Sequence, residues 1–119
     1  MKIYVSHSRD FNFTDELYRP IRGSLLNKSH TFILPHEDTR HWNARETFKD
    51  IDLLIAEVSF PSTGQGIEIG WASMLKVPIL CVSKEGSKIS ASLKYVTDDL
   101  MTYANPEDLI AKIAGFLSK

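Results

Sequence analysis

Glu68 stands in the run Pro61-Ser62-Thr63-Gly64-Gln65-Gly66-Ile67-Glu68-Ile69-Gly70-Trp71-Ala72, a lone carboxylate a few residues past an apolar stretch over 53–58. Pro61, Gly64 and Gly66 predict a tight, partly left-handed bend there. Ile67, Ile69, Ala72 and Leu75 then take up helical spacing, which puts Glu68 in the first turn of a helix over 67–75. A carboxylate at that position faces unpaired amides and the positive end of the helix dipole, worth a few tenths to about 1 kcal/mol. It is expected to be ionised at neutral pH, as a nucleophile must be. A first-turn glutamate often does no more than complement the dipole. Here the small residues Ser62, Gly64 and Gly66 leave backbone amides open to a ligand, which puts chemistry level with that reading.

Two other stretches carry reactive side chains. Ser6-His7-Ser8-Arg9-Asp10 offers hydroxyls and a cation, a seat for a phosphate or a sugar hydroxyl as much as a solvated turn. Pro35-His36-Glu37-Asp38-Thr39-Arg40-His41-Trp42-Asn43 brings titratable groups and an indole that could hold and protonate a planar base. His36 and His41 are five residues apart, which fits no helical metal pair, so no metal is expected. The glycines Gly64, Gly66 and Gly70 resemble a dinucleotide fingerprint, but the third comes one residue late and the run follows the third strand. No nicotinamide or other cofactor is therefore expected. A phosphoacceptor aspartate is also missing from the end of that strand, where Glu57 to Ser59 stand. Cys81, the only cysteine, lies in an apolar run and reads as a buried thiol. Trp71 reads as core or subunit interface.

The elements that must position these residues alternate. Strand patterns cover 3–6, 31–34, 53–58 and 78–82, with a weak edge strand at 101–103. Helix patterns cover 14–26, 44–49, 67–75, 89–95 and 106–117, and Pro20 is expected to kink the first of them. Asn105 reads as the N-cap of the last helix and Pro106 as its first residue, with Leu109, Ile110, Ile113 and Leu117 on one face. Nearly unbroken apolar strands alternating with helices predict an α/β, single-domain, flavodoxin-like or Rossmann-like five-stranded parallel sheet with helices on both faces. In a 2-1-3-4-5 order, ligands bind beyond the carboxyl ends of the first and third strands, between the loops 6–10 and 59–66.

With 119 residues, 43% hydrophobic and 24% charged, the sequence supports one core and one domain over 1–119. Fourteen basic against fifteen acidic residues give a net charge of -1 with no basic stripe, so nucleic acid is not an expected partner. No leader pattern and no 18-residue apolar run is read, so the expectation is a soluble, cytoplasmic chain with no membrane partner.

Ile3-Tyr4-Val5 with Ser8, Ala56-Glu57-Val58 and the run from Pro61 to Ala72 together resemble the nucleoside 2-deoxyribosyltransferase family, with the closer likeness to its 2'-deoxynucleoside 5'-phosphate N-hydrolase branch. The resemblance implies that Glu68 attacks the anomeric carbon of a deoxyribose, expels the base and forms a glycosyl-enzyme that water or a second base resolves. By the same matching, Tyr4 orients Glu68, while Ser8, Ser62, Gly64 and Gly66 bind the sugar or its 5'-phosphate. Ser90 matches a serine that reaches a neighbouring subunit's site, implying an active homodimer. The substrate is then a small nucleoside or nucleotide. Two departures stand out. The position of the family's leaving-group acid holds Ala44, with Asn43 beside it, so that His36, Glu37, Asp38 or Glu46 would have to substitute. His7 stands where the hydrolase branch has a small residue, either narrowing the phosphate pocket or adding a cation. The alternative is a catalytically impaired nucleotide-binding or sensing module; an enzyme acting on a ribosyl cofactor ranks below both.

Overall fold

The computed structural model describes residues 1–37 and 43–119. Five strands, β1 (Lys2–His7), β2 (Thr31–Ile33), β3 (Leu53–Glu57), β4 (Ile79–Lys84) and β5 (Leu100–Tyr103), form one parallel sheet in the order β2-β1-β3-β4-β5. The predicted 2-1-3-4-5 arrangement is thus present, with helices on both faces.

Alternation along the strands sorts the side chains. Ile3, Val5, Leu53, Ile55, Leu80 and Val82 pack against the face carrying α1 (Arg19–Arg22) and α5 (Pro106–Leu117). Tyr4, Leu54, Ala56, Ile79 and Cys81 pack on the other, beneath α3 (Ala44–Thr47) and α4 (Thr63–Met74). Ala56 pairs with Ser6, and Glu57 with His7, at the carboxyl ends of β3 and β1. Cys81 is buried there and its thiol is pushed up to about 11 by burial, in keeping with the inert thiol read from the sequence.

Several boundaries differ from the sequence reading. The expected helix over 14–26 is broken: a π-helical turn Thr14–Tyr18, closed by the Arg19 N–H on the Thr14 carbonyl, runs into α1, and α2 (Leu26–Ser29) follows separately. Pro20 has no N–H to give the helical ladder, and a wider turn ahead of it absorbs the mismatch. The helix expected over 89–95 is a 3-10 turn, Ala91–Tyr95. α5 keeps its predicted bounds, with the Asn105 side chain accepting from the Asp108 N–H at 2.8 Å.

The largest revision concerns α4. It begins at Thr63, capped by the Ser62 side chain on the Gln65 N–H, four residues before the expected start. Gly64 and Gly66 lie inside the helix with negative φ; among the described residues only Lys76 and Gly86 have positive φ. There is no left-handed bend. Two glycines weaken a helix but do not forbid it when a cap and a packed face compensate. Among the described residues no helix is long and apolar enough to cross a membrane.

Candidate active site

With α4 starting at Thr63, Glu68 is the sixth helical residue and lies in the second turn, not the first. The open amides of the helix start are a turn away, so the dipole argument for its charge loses most of its force. Other donors take over. Tyr4 Oη donates to Glu68 Oε2 at 2.7 Å and Ser6 Oγ donates to Oε1 at 2.7 Å. Tyr4 and Ser6 are two residues apart on β1, so the pleat turns both toward α4. Glu68 is half-buried, and burial raises its carboxyl above the ordinary range while the two hydroxyl donors oppose that shift. Burial together with Glu68 holds the Tyr4 phenol well above its usual value, so the hydroxyl keeps its proton and donates.

Gln65, three residues before Glu68, is buried and reaches past the ends of two strands. Its Nε2 donates to the Ser6 carbonyl at 3.1 Å and to the Glu57 carbonyl at 2.7 Å. β1 and β3 are thereby tied to α4 where their pairing ends.

In the first loop Arg9 is exposed, but His7 does not add a second cation. His7 is buried among the rings of Phe13, Tyr18 and His36, at centroid distances of 4.5, 5.2 and 5.4 Å. Its Nδ1 lies 2.7 Å from the Ser8 carbonyl and its Nε2 2.6 Å from Tyr18 Oη, while Tyr18 Oη accepts from the His36 N–H at 3.0 Å. A carbonyl requires the proton on Nδ1, so Nε2 accepts from the phenol. Burial lowers the imidazole to about 4, and the nearby charge of Arg9 works in the same direction. His7 therefore fills space and supplies no cation at neutral pH. Ser8 is 1% exposed, its Oγ accepting from the Asp10 N–H at 3.0 Å.

The other candidate residues lie across α4. A cavity of about 540 Å³ is walled by Phe60, Ser62, Gly66, Gly70, Ser90 and Leu93 among others, and Glu68 is not one of its walls. The helical repeat accounts for this: Gly66 and Gly70 are four apart on one flank, and Glu68, two residues from each, points to the other. A Cβ added at Gly64, Gly66 or Gly70 would meet nothing within 4 Å, so these glycines leave the helix surface bare. Ser90 caps the 3-10 turn, its side chain accepting from the Ser92 N–H. The structure thus brings Tyr4, Ser6 and Glu68 together, groups Ser62, Gly66 and Ser90 at the cavity, and does not join the two sets within one chain. Trp71 is 37% exposed and so does not belong to the core.

The stretch after β2 carries the candidates for a leaving-group acid. Ala44 is buried against the α4 face and offers none. Glu37 is gripped by Arg22, whose Nε and Nη2 donate to its two oxygens at 2.8 Å each. Glu46 is exposed beside Lys49. His36 is exposed over the His7 ring, its imidazole lowered by burial and Arg9. Asp38, His41 and Trp42 lie outside the described residues. Among the described residues no group of three His, Cys, Asp or Glu side chains is placed to hold a metal.

No family model matches the chain. A relative from Methanococcoides burtonii, named "Putative 2'-deoxynucleoside 5'-phosphate N-hydrolase 1", is 30% identical over 108 residues, covering 78% of this chain and 88% of the relative. A relative of the same name from Methanosarcina mazei is 39% identical over 69 residues, but that match spans 56% of this chain and only 43% of the relative. Among solved structures, a Clostridium botulinum CMP N-glycosidase, BcmB, superposes with a TM-score of 0.70 at 21% identity, covering 96% of this chain and 99% of that one. A conserved protein from Enterococcus faecalis does so with a TM-score of 0.64 at 19% identity, covering 98% of each. At such identities the structures establish the shared fold, and the Methanococcoides relative establishes the kinship: the chain belongs to the nucleoside 2-deoxyribosyltransferase family, in the branch of the 2'-deoxynucleoside 5'-phosphate N-hydrolases.

Proposed function

We propose that the chain is an N-glycosidase of nucleotide metabolism, cleaving a 2'-deoxynucleoside or its 5'-monophosphate by hydrolysis or base transfer through a covalent glycosyl-glutamate on Glu68. The observation that carries this reading is the seat of that carboxyl, half-buried on α4 with one neutral hydroxyl donor on each oxygen. A Glu68 oxygen attacks C1', and the C1'–N bond breaks with its electron pair leaving on the base, which takes up a proton. Water or a second base then attacks C1', the C1'–O bond to Glu68 breaks, and the pair returns to the carboxylate. The names of the Methanococcoides relative and of BcmB favour a nucleoside monophosphate and hydrolysis.

In this reading Tyr4 orients Glu68, and Ser8, Ser62, Gly64 and Gly66 bind the sugar or its phosphate, Ser62 and Gly66 from the cavity flank of α4 and so, like Ser90, for a neighbouring protomer's Glu68. Ser90 serves another copy: within one chain α4 separates it from Glu68, so it can assist a Glu68 only in a neighbouring protomer. A homodimer is further supported by Ile67, Trp71 and Met74, which recur at helical spacing as an exposed apolar stripe on α4.

Incubation with a panel of deoxynucleosides and their monophosphates, followed by chromatography of the free base, tests the reading. Base release by the native chain and its loss by several orders of magnitude in Glu68→Ala are expected. Equal release by Glu68→Ala removes the proposal. The buried Ala44 favours a second reading, a nucleotide-binding or sensing module without turnover. A nucleotide that raises the melting midpoint while staying intact supports that module; conversion of the nucleotide rejects it.

A further inference from the structure

We propose that Gln65 is a positioning residue for the Glu68 carboxyl: its side-chain amide clips the Ser6 backbone to α4 and thereby aims the Ser6 hydroxyl at Glu68 Oε1. The inference rests on reading Glu68 as the reacting carboxylate.

Ser6 is held twice by one helix. Its carbonyl receives a hydrogen bond from Gln65 Nε2, and its hydroxyl gives one to Glu68. Gln65 and Glu68 are three residues apart on α4, hence neighbours on its surface, so carbonyl, hydroxyl, amide and carboxyl close a small ring between strand and helix. The second Nε2 hydrogen goes to the Glu57 carbonyl, which anchors the amide to β3 and stops it from following Ser6. Burying a glutamine is unfavourable unless its polar atoms are matched. Here both amide hydrogens are spent on carbonyls at the sheet end. A side chain without N–H groups at 65 would leave those carbonyls short of a donor and free Ser6 to shift away from α4. Ser6 Oγ would then lose its alignment with Oε1, a change that hydrogen-bond geometry does not tolerate.

Among the described residues, the titratable groups facing Glu68 are Tyr4 from β1 and, farther off, Tyr18 from the π-helical turn ahead of α1. Burial holds both phenols above their ordinary range, so neither changes charge where a carboxyl titrates. A donor to the charged form of Glu68 favours that form, and losing the donor moves the titration to higher pH.

The test follows the Glu68 side-chain carbon by ¹³C NMR across pH in the full chain, with the resonance assigned by its absence in Glu68→Gln. Ser6→Ala is expected to raise the titration midpoint by about one pH unit. Gln65→Met, which matches the length and lacks the donors, is expected to raise it in the same direction by less. Combined with Ser6→Ala it is expected to add nothing, because it acts through Ser6. Additive shifts in the double variant, or the native midpoint in folded Gln65→Met, overturn the proposal. If Gln65→Met does not fold, Gln65→Asn, whose amide falls one methylene short of the carbonyls, must give the same upward shift. The midpoint is read without substrate, so a chain that releases no base yet shows the coupled shifts loses the glycosidase reading and keeps the clip.

Discussion

Two carboxyl groups lie near the carboxyl ends of the central strands, on opposite faces of the sheet, and they are held by closely similar sets of donors. Glu68 takes hydroxyls from Tyr4 and Ser6. Glu57 takes the Tyr103 hydroxyl and the hydroxyl and backbone N–H of Ser59, the latter two at 2.9 and 2.7 Å. Tyrosine and serine serve both. The difference is access: Glu57 is 0% exposed at the end of β3, whereas Glu68 sits half-buried on a helix with part of it open to solvent. Beside Glu57 the Ser59 hydroxyl also accepts from the Lys84 N–H, at 2.8 Å. Phe11 stacks on Phe60 at 5.2 Å, and Lys84 sits over both rings while pairing with Glu16 at 2.6 Å. A donor set alone therefore does not make a nucleophile. The same chemistry turned into the core becomes a fastening, and left partly open to solvent it can, on the proposed reading, meet a substrate.

The sharpest way to break this comparison is to remove each carboxyl in turn. Glu68→Ala is expected to abolish base release while leaving the melting midpoint near or above that of the native chain. Burial already penalises the charged form there, so losing the carboxyl removes that cost. Glu57→Gln should do the reverse. Its amide turns N–H groups toward donors on Tyr103 or Ser59, at a cost of about 2 kcal/mol in urea unfolding, with turnover per folded molecule changed less than tenfold. A Glu57→Gln chain of native stability that releases no base would mean the two carboxyls had been assigned to the wrong faces.

What the sequence disclosed follows the same division. The strand order, the parallel sheet and the bounds of α5 were legible because apolar periodicity and capping residues are local signals, as at Asn105 and Pro106. Glu68 was legible as a residue but misplaced by a turn, because Gly64 and Gly66 read as breakers while Ser62 and the packed Gln65, Ile69 and Ala72 keep the helix going. Ser6 was read as part of the first loop and not as a partner of Glu68, although it repeats the orientation of Tyr4 two positions on; period-two alternation was the available signal. Gln65 gave no signal, since nothing local tells a buried glutamine from an exposed one. His7 looked cationic by type and is neutral by environment, which only the surrounding rings reveal.

His7 lets the comparison be tested through pH. Its folded value, about 4, lies below the ordinary 6.5, so between these values the unfolded chain binds more protons than the folded one. Its contribution to stability is full above pH 6.5 and is lost as pH falls toward 4, amounting to about 3 kcal/mol. Glu68 has the opposite sign: its raised folded value makes the native chain the better proton binder as acid is added, so it offsets part of that loss. Urea unfolding at pH 7 and pH 4.5 is expected to show a much smaller acid loss in His7→Gln than in the native chain. Identical losses in both would show that the imidazole is charged in the folded protein.

The smallest effects separate the two tyrosines. Tyr4→Phe removes a donor from Glu68 Oε2, so the charged carboxylate is less favoured and the acid limb of kcat/KM should move upward by about half a unit to one unit. Because Glu68 is partly exposed, water can replace the donor, and unfolding should change by less than about 1 kcal/mol. Tyr103→Phe leaves Glu57 one donor short where the carboxyl has no exposure to water, so its cost should appear in stability, about 1–2 kcal/mol, with the pH profile unmoved. The two substitutions delete the same atom. If they gave the same pattern, exposure would not be what distinguishes the carboxyls, and the distinction would have to come from the elements that carry them, a helix that can tilt in one case and a strand fixed on both sides in the other.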